Sequence, residues 1–119
     1  MRKPEDTIIN GGAAMKYVTH NDVPDIDING TCYMGEIRAK YADLCAAFGK
    51  PTSGDGYKTD AEWEVRFSDG TVATIYNWKD GHNYNDGQGT DTVDITDWHI
   101  GGRDARVVRL VLEAMKVTA

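Results

Sequence analysis

Residues 62–67 read Glu-Trp-Glu-Val-Arg-Phe, a strict alternation of polar and apolar side chains. Successive side chains leave a strand on opposite sides, so a period of two predicts a strand buried on one face. Ser68-Asp69-Gly70 follows as a turn, and residues 71–78 (Thr-Val-Ala-Thr-Ile-Tyr-Asn-Trp) are rich in β-branched and aromatic types. The pair predicts a β-hairpin whose apolar face needs cover from elsewhere in the chain.

The cover is legible on both sides of the hairpin. In residues 39–48, Tyr41, Leu44, Cys45 and Phe48 fall at i, i+3, i+4 and i+7, one buried helical stripe. Gly49 suits a left-handed terminator and Pro51 prevents continuation. Residues 97–100 predict a short strand, and Gly101-Gly102 leads into a helix over about 103–115. On that helix Val107, Val108, Leu110, Val111, Leu112, Ala114 and Met115 cover an arc of about 200°, leaving Arg106, Arg109 and Glu113 on the polar side. One sheet face needs less than that. The excess predicts contact with a second copy, a homo-oligomer; the alternative is cover by the N-terminal residues.

Before the first helix, Asp25 and Asp27 alternate with Ile26 and Ile28, and Asn29-Gly30 is a strong hairpin signal. Residues 31–34 are the predicted return strand. Residues 1–20, with Pro4 and Gly11-Gly12, predict an extended arm or an edge strand around 15–18. The order is hairpin, helix, hairpin, strand, helix. It predicts an α+β fold, an antiparallel sheet of about five strands packed with two helices, in a single domain over 21–119 after an arm over 1–20.

With 119 residues the chain suits one core, and a formal net charge of -6 argues against a general DNA or RNA surface. A local basic pocket for a small anion remains compatible with that balance, because Asp22, Asp25 and Asp27 lie early and the arginines late. Cys32 and Cys45 have no zinc spacing and read as reduced thiols. No apolar run approaches the roughly 20 residues of a membrane span, and the N-terminus lacks a signal-peptide pattern, which together predict a cytoplasmic protein.

Two constellations point to a ligand with bases and phosphates. Tyr76-Asn77-Trp78 leads into a polar loop over 79–96 that carries Asn83, Tyr84 and Asn85; flat rings stack bases, and Asn amides read an adenine edge. Tyr76 and Tyr84 are the stacking candidates, while Trp63, Trp78 and Trp98 are expected mostly in the core. After the loop, Gly101-Gly102 would open the last helix, whose first N–H groups attract phosphate, with Arg103 and Arg106 as a forked clamp. The competing reading is a solvated arginine face, and Asp104 weakens the clamp.

Other chemistry is thinner. His20, His82 and His99 are dispersed, and His99 reads as structural. Glu62 and Glu64 share a strand face and are explained by exposure there. No phosphate-loop or dinucleotide fingerprint is present. Residues 25–36 do fit a calcium-loop pattern in full, with Asp25, Asp27, Asn29 and Glu36 as ligands, but Pro24 precludes a good entering helix and Ile26 and Ile28 sit where such loops face solvent. The hairpin is the preferred reading. No catalytic set, cofactor or metal is predicted.

At DGYKTDAEW, TVATIYNWKDG and WHIGG the chain resembles the Thoeris anti-defence protein 1 family of phage proteins. The resemblance spans roughly residues 31–115. It implies a small oligomer, often a hexamer, whose protomer places an antiparallel sheet between two helices. It also implies capture of cyclic ADP-ribose signals without cleavage, with cyclic oligonucleotides held at separate sites in some members. An aromatic ring against adenine, a polar loop residue and C-terminal basic residues on the phosphates would fall on Tyr76, on Asn83 or Asn85, and on Arg103, Arg106 and Arg109. Two other classes compete: a nucleotide-cleaving enzyme using Glu62, Glu64 or His99, and an acidic inhibitor of a host defence protein.

Overall fold

The computed structural model describes residues 15–54, 58–79, 81, 85 and 87–118, with side chains through residue 116. In chain order these form β1 (Tyr17–Thr19), β2 (Cys32–Arg38), α1 (Tyr41–Phe48), β3 (Glu62–Phe67), β4 (Val72–Tyr76), a 3-10 turn at Thr92–Asp94, β5 (Asp97–Gly102) and α2 (Val107–Thr118). The strands make one antiparallel sheet in the order β1-β3-β4-β5-β2. This is the α+β architecture that the sequence predicts. Among the described residues no helix is long and apolar enough to cross a membrane.

The β3–β4 hairpin forms as read, with Trp63 opposite Ile75 and Val65 opposite Ala73. The ladder continues from Ile75 to Ile100 and from Ala73 to Gly102, and on the far side Ile37 lies opposite Trp98. These residues share one face, and all the apolar side chains among them are buried. Both helices pack on that face. From α1, Tyr41 lies 5.8 Å from the Trp63 ring and 6.3 Å from Trp98, while Leu44 and Phe48 are buried. The two core indoles also fasten the ends of α1: Trp63 Nε1 donates to Gly49 O at 2.8 Å and Trp98 Nε1 to Ala39 O at 3.0 Å. From α2, Val107, Leu110, Val111 and Ala114 are buried. Val107 packs so closely over Gly102 that a Cβ there would lie 2.8 Å from its Cγ2. The resemblance implied a sheet between two helices; here both helices gather on the face that carries Trp63, Val65, Ile75, Trp98 and Ile100.

Several expected boundaries change. The 25–34 hairpin does not form. Asn29-Gly30 does turn the chain, with Thr31 N donating to Ile28 O at 3.2 Å, Asn29 N donating to Asp27 Oδ1 at 2.9 Å and Gly30 at φ 80°. However, β2 pairs with β5 rather than with residues 25–28, because that register carries Ile37 into the core beside Trp98. The fifth strand is β1, at the sheet edge beside β3, in agreement with the edge-strand reading of the stretch around 15–18; residues 1–14 lie outside the described residues. The calcium-loop pattern fails for the same reason as the hairpin: Cys32–Glu36, its last five positions, are extended in the β2–β5 ladder.

At the other end, β5 runs through Gly101 and Gly102, and α2 begins only at Val107. Gly101-Gly102 is therefore strand, not a helix entrance, and Arg103 and Arg106 precede the helix. The wide apolar arc of α2 is partly used: Val108 approaches Gly35 of β2, where a Cβ would lie 3.1 Å from its Cγ2, and Leu112 is left exposed.

Candidate ligand-binding site

Among the described residues no helix covers the opposite face of the sheet. The register sets Glu62, Tyr76, His99 and Glu36 in one row across β3, β4, β5 and β2. Glu64, Thr74, Gly101 and Tyr33 form the next row. Gly101 is buried, and a Cβ there would lie 2.5 Å from Thr74 Oγ1 and 3.5 Å from Tyr76 Cε1. Its hydrogen thus leaves the floor of a cleft of about 280 Å³, walled by Tyr33, Thr59, Glu62, Thr74, Tyr76 and Trp78. Small-molecule pockets commonly measure roughly 300–1,000 Å³. This cleft suits one ring system rather than a whole dinucleotide.

The cleft is ringed by aromatics. His99 lies at their centre, with ring centroids 4.8 Å from Tyr33, 5.6 Å from Tyr76 and 6.0 Å from Trp78, the last with planes only 22° apart. Tyr76 and Trp78 meet edge to face at 6.1 Å. Tyr33 is 54% exposed and Trp78 39%. His99 Nε2 sits 3.0 Å from Glu36 Oε1, which fixes the imidazole plane. Burial, then the Glu62 carboxylate and Tyr33, push the Tyr76 phenol above its ordinary range. It is consequently a neutral hydrogen-bond donor at physiological pH.

Two ammonium groups gather at the ring of Trp78, which borders the cleft. Lys58 Nζ lies 5.4 Å from the Trp78 ring centroid and Lys79 Nζ 5.6 Å. A buried polar clasp holds this corner. Asn77 Oδ1 accepts from Asp60 N at 2.6 Å and Ala61 N at 3.0 Å, and Asn77 Nδ2 donates to Asp60 Oδ1 at 3.0 Å. Next to it, Lys79 N donates to Lys58 O at 2.8 Å.

The sequence-predicted site is only partly assembled here. Tyr76 lines the cleft. Asn85 is a brace, its Nδ2 donating to Lys79 O at 3.0 Å and Gly81 O at 2.8 Å; Asn83, Tyr84 and His82 lie outside the described residues. The arginines do not converge on Tyr76. Arg103 donates to Asn29 O at 2.7 Å and Asp27 O at 2.8 Å, fastening the turn whose Ile28 and Thr31 border the cleft. Arg106 donates to Asp69 Oδ2 at 3.0 Å and Thr71 Oγ1 at 2.7 Å, pinning the β3–β4 turn. There the Thr71 hydroxyl and then its backbone N–H hold the Asp69 carboxyl below its usual range, with Arg106 a smaller cause. Arg109 reaches Glu113 one turn along α2, at 3.4 Å. The phosphate clamp is thus replaced by three separate intramolecular contacts, because the strand continues through Gly102 and turns Arg103 and Arg106 toward neighbouring turns.

Trp78, expected mostly in the core, instead lines the cleft, while His99, expected to be structural, packs against three of the rings and pairs with Glu36. Trp78 had a local signal, since alternation sets it on the face of Thr74 and Tyr76. Tyr33 had none, because it reaches the cleft only through the distant β2–β5 pairing. Glu62 and His99, the groups an enzyme reading would use, share one row, and Glu64 lies in the next.

No protein-family model matches this chain, and neither does any curated protein in the comparison.

Proposed function

We propose that this protein is a nucleotide-signal sponge: the open sheet face takes the base of a cyclic ADP-ribose isomer, and the protein holds the signal without cleaving it. In this reading it is a phage anti-defence protein acting in the cytoplasm of a bacterial host, as the likeness at DGYKTDAEW, TVATIYNWKDG and WHIGG implies. The observation that carries it is the ring cluster of Tyr33, Tyr76, Trp78 and His99 around a cleft of about 280 Å³. Stacking a base on such rings contributes about 1–3 kcal/mol per base. The rings are already placed by the sheet and by the Glu36–His99 contact, so little ordering accompanies binding. Slow release, which a sponge requires, follows most readily from a prearranged site. Assembly into a homo-oligomer through the outward arc of α2 around Leu112 is part of the same proposal.

One observation favours a second reading. Glu62, Tyr76, His99 and Glu36 form a row of titratable groups across four strands, an arrangement from which a nucleotide-cleaving enzyme could draw an acid and a base. Calorimetric titration with cyclic ADP-ribose isomers, followed by heat denaturation and mass analysis of the released ligand, separates the two. Tight binding with intact ligand recovered is expected. Altered ligand makes the protein an enzyme, and absence of heat with every isomer removes the nucleotide reading in favour of a protein-binding inhibitor.

A further inference from the structure

Lys79 is the single non-glycine residue with positive φ among the described residues, at 64°. A side chain in that region is strained, and such strain persists where the surroundings over-determine it. Here they do. Lys79 N is bonded to Lys58 O at 2.8 Å, its carbonyl accepts from Asn85 Nδ2 at 3.0 Å, and Gly81 packs against Asp60 with no room for a Cβ. Residues 58–61 are thereby zipped to residues 77–79 and Gly81 around the buried Asn77 amide. The result sets two ammonium groups near one indole, at 5.4 and 5.6 Å from its centroid. Both ammonium groups thus lie within cation–π range of the same ring.

We propose that Lys58 and Lys79 form the anion subsite of the cleft and receive the phosphates of a ligand whose ring stacks among Tyr76, Trp78 and His99. This rests on reading the cleft as a base-binding site, and it moves the phosphates from the arginines of the C-terminal segment to the lysines beside Trp78. The chemistry fits the class. Trp78 lines the cleft, so charge at its ring borders the stacking surface, and an ammonium on a flexible stem meets a phosphate oxygen as a point charge. The ligand class is a phosphorylated compound with a planar base, linked phosphates being able to reach both lysines at once.

Three proteins and two probes test it: the parent, Lys58→Gln and Lys79→Gly, each titrated with cyclic ADP-ribose and with adenosine, and each melted without ligand. The parent is expected to bind cyclic ADP-ribose at least tenfold more tightly than adenosine. Each variant should lose roughly tenfold for cyclic ADP-ribose and nothing for adenosine. Lys79→Gly should also melt at or above the parent temperature, because glycine accepts the left-handed backbone without strain. Weaker phosphate binding in an equally stable or more stable protein is a signature that a purely structural lysine does not give. If both variants hold cyclic ADP-ribose within twofold of the parent, the lysine subsite is wrong and the base-binding cleft stands. If the parent binds neither probe, the cleft reading and the subsite fall together.

Discussion

On the covered face of the sheet, Trp63 and Trp98 meet edge to face at 5.3 Å, with no exposed surface. On the open face, Tyr33, Trp78 and His99 meet at 4.8 to 6.0 Å, much the same spacing, yet Tyr33 and Trp78 remain exposed. Ring-to-ring distance therefore does not separate a core from a site. Two other features do. The covered indoles donate their N–H groups to backbone carbonyls at the ends of α1, whereas Trp78 is flanked by two ammonium groups. The helices close one face of the sheet, and among the described residues Tyr33 and Trp78 on the other face stay exposed.

Deleting a ring should break this symmetry sharply. Trp98→Ala leaves a cavity that the packed helices cannot fill and should lower stability by about 3–5 kcal/mol in denaturant unfolding. Trp78→Ala exposes its site to water and should lower stability by no more than about 1 kcal/mol, while weakening cyclic ADP-ribose binding by about 1–3 kcal/mol. Similar losses of stability in the two variants would show that the open face is closed in solution, by another copy or by the N-terminal residues.

The border between the faces is Asn77, which directly follows β4 and whose side chain is fully buried. Asn77→Ala takes the acceptor from two backbone N–H groups, those of Asp60 and Ala61. Each buried donor left without a partner costs about 1–3 kcal/mol, so a loss of about 2–6 kcal/mol is expected for the two. Because the same clasp holds Lys58 near Lys79, affinity for the phosphorylated ligand should fall in parallel. A variant that loses stability but keeps its affinity would uncouple the clasp from the cationic corner.

The covered face was legible in the sequence because its signal is local. Alternation over 62–67, the Tyr41-to-Phe48 stripe and the arc of α2 each declare a buried side without knowledge of their partners. The open face is written in pairings between distant segments. Tyr33 and His99 become neighbours only when β2 docks on β5, and Lys58 meets Lys79 only when two loops zip around Asn77. Local pattern also misled at Gly101-Gly102, where a glycine pair after a short strand resembles a helix entrance. In the sheet the two glycines serve opposite sides, Gly101 as the floor of the cleft and Gly102 as the seat of Val107. Asn29-Gly30 misled similarly: its turn chemistry is correct, but a turn does not choose which strand its exit will pair with.

The smallest effects concern the arginines, and they divide the two accounts of phosphate binding. The sequence points to Arg103, Arg106 and Arg109, whereas the cleft points to Lys58 and Lys79. Arg103 is an ambiguous probe, since it fastens the turn that borders the cleft. Arg109 is a clean one: it lies on α2, on the covered side of the sheet, and its guanidinium meets Glu113 at 3.4 Å in an exposed pair one helical turn apart. Such a pair contributes about 0.2–0.5 kcal/mol, so Arg109→Ala should barely change stability. It should also leave cyclic ADP-ribose affinity unchanged in calorimetry at low salt, where any long-range help from its charge would be largest. A tenfold loss of affinity would place Arg109 at a ligand, and because a single protomer separates it from the cleft by the thickness of the sheet, that ligand would have to sit between copies of the chain.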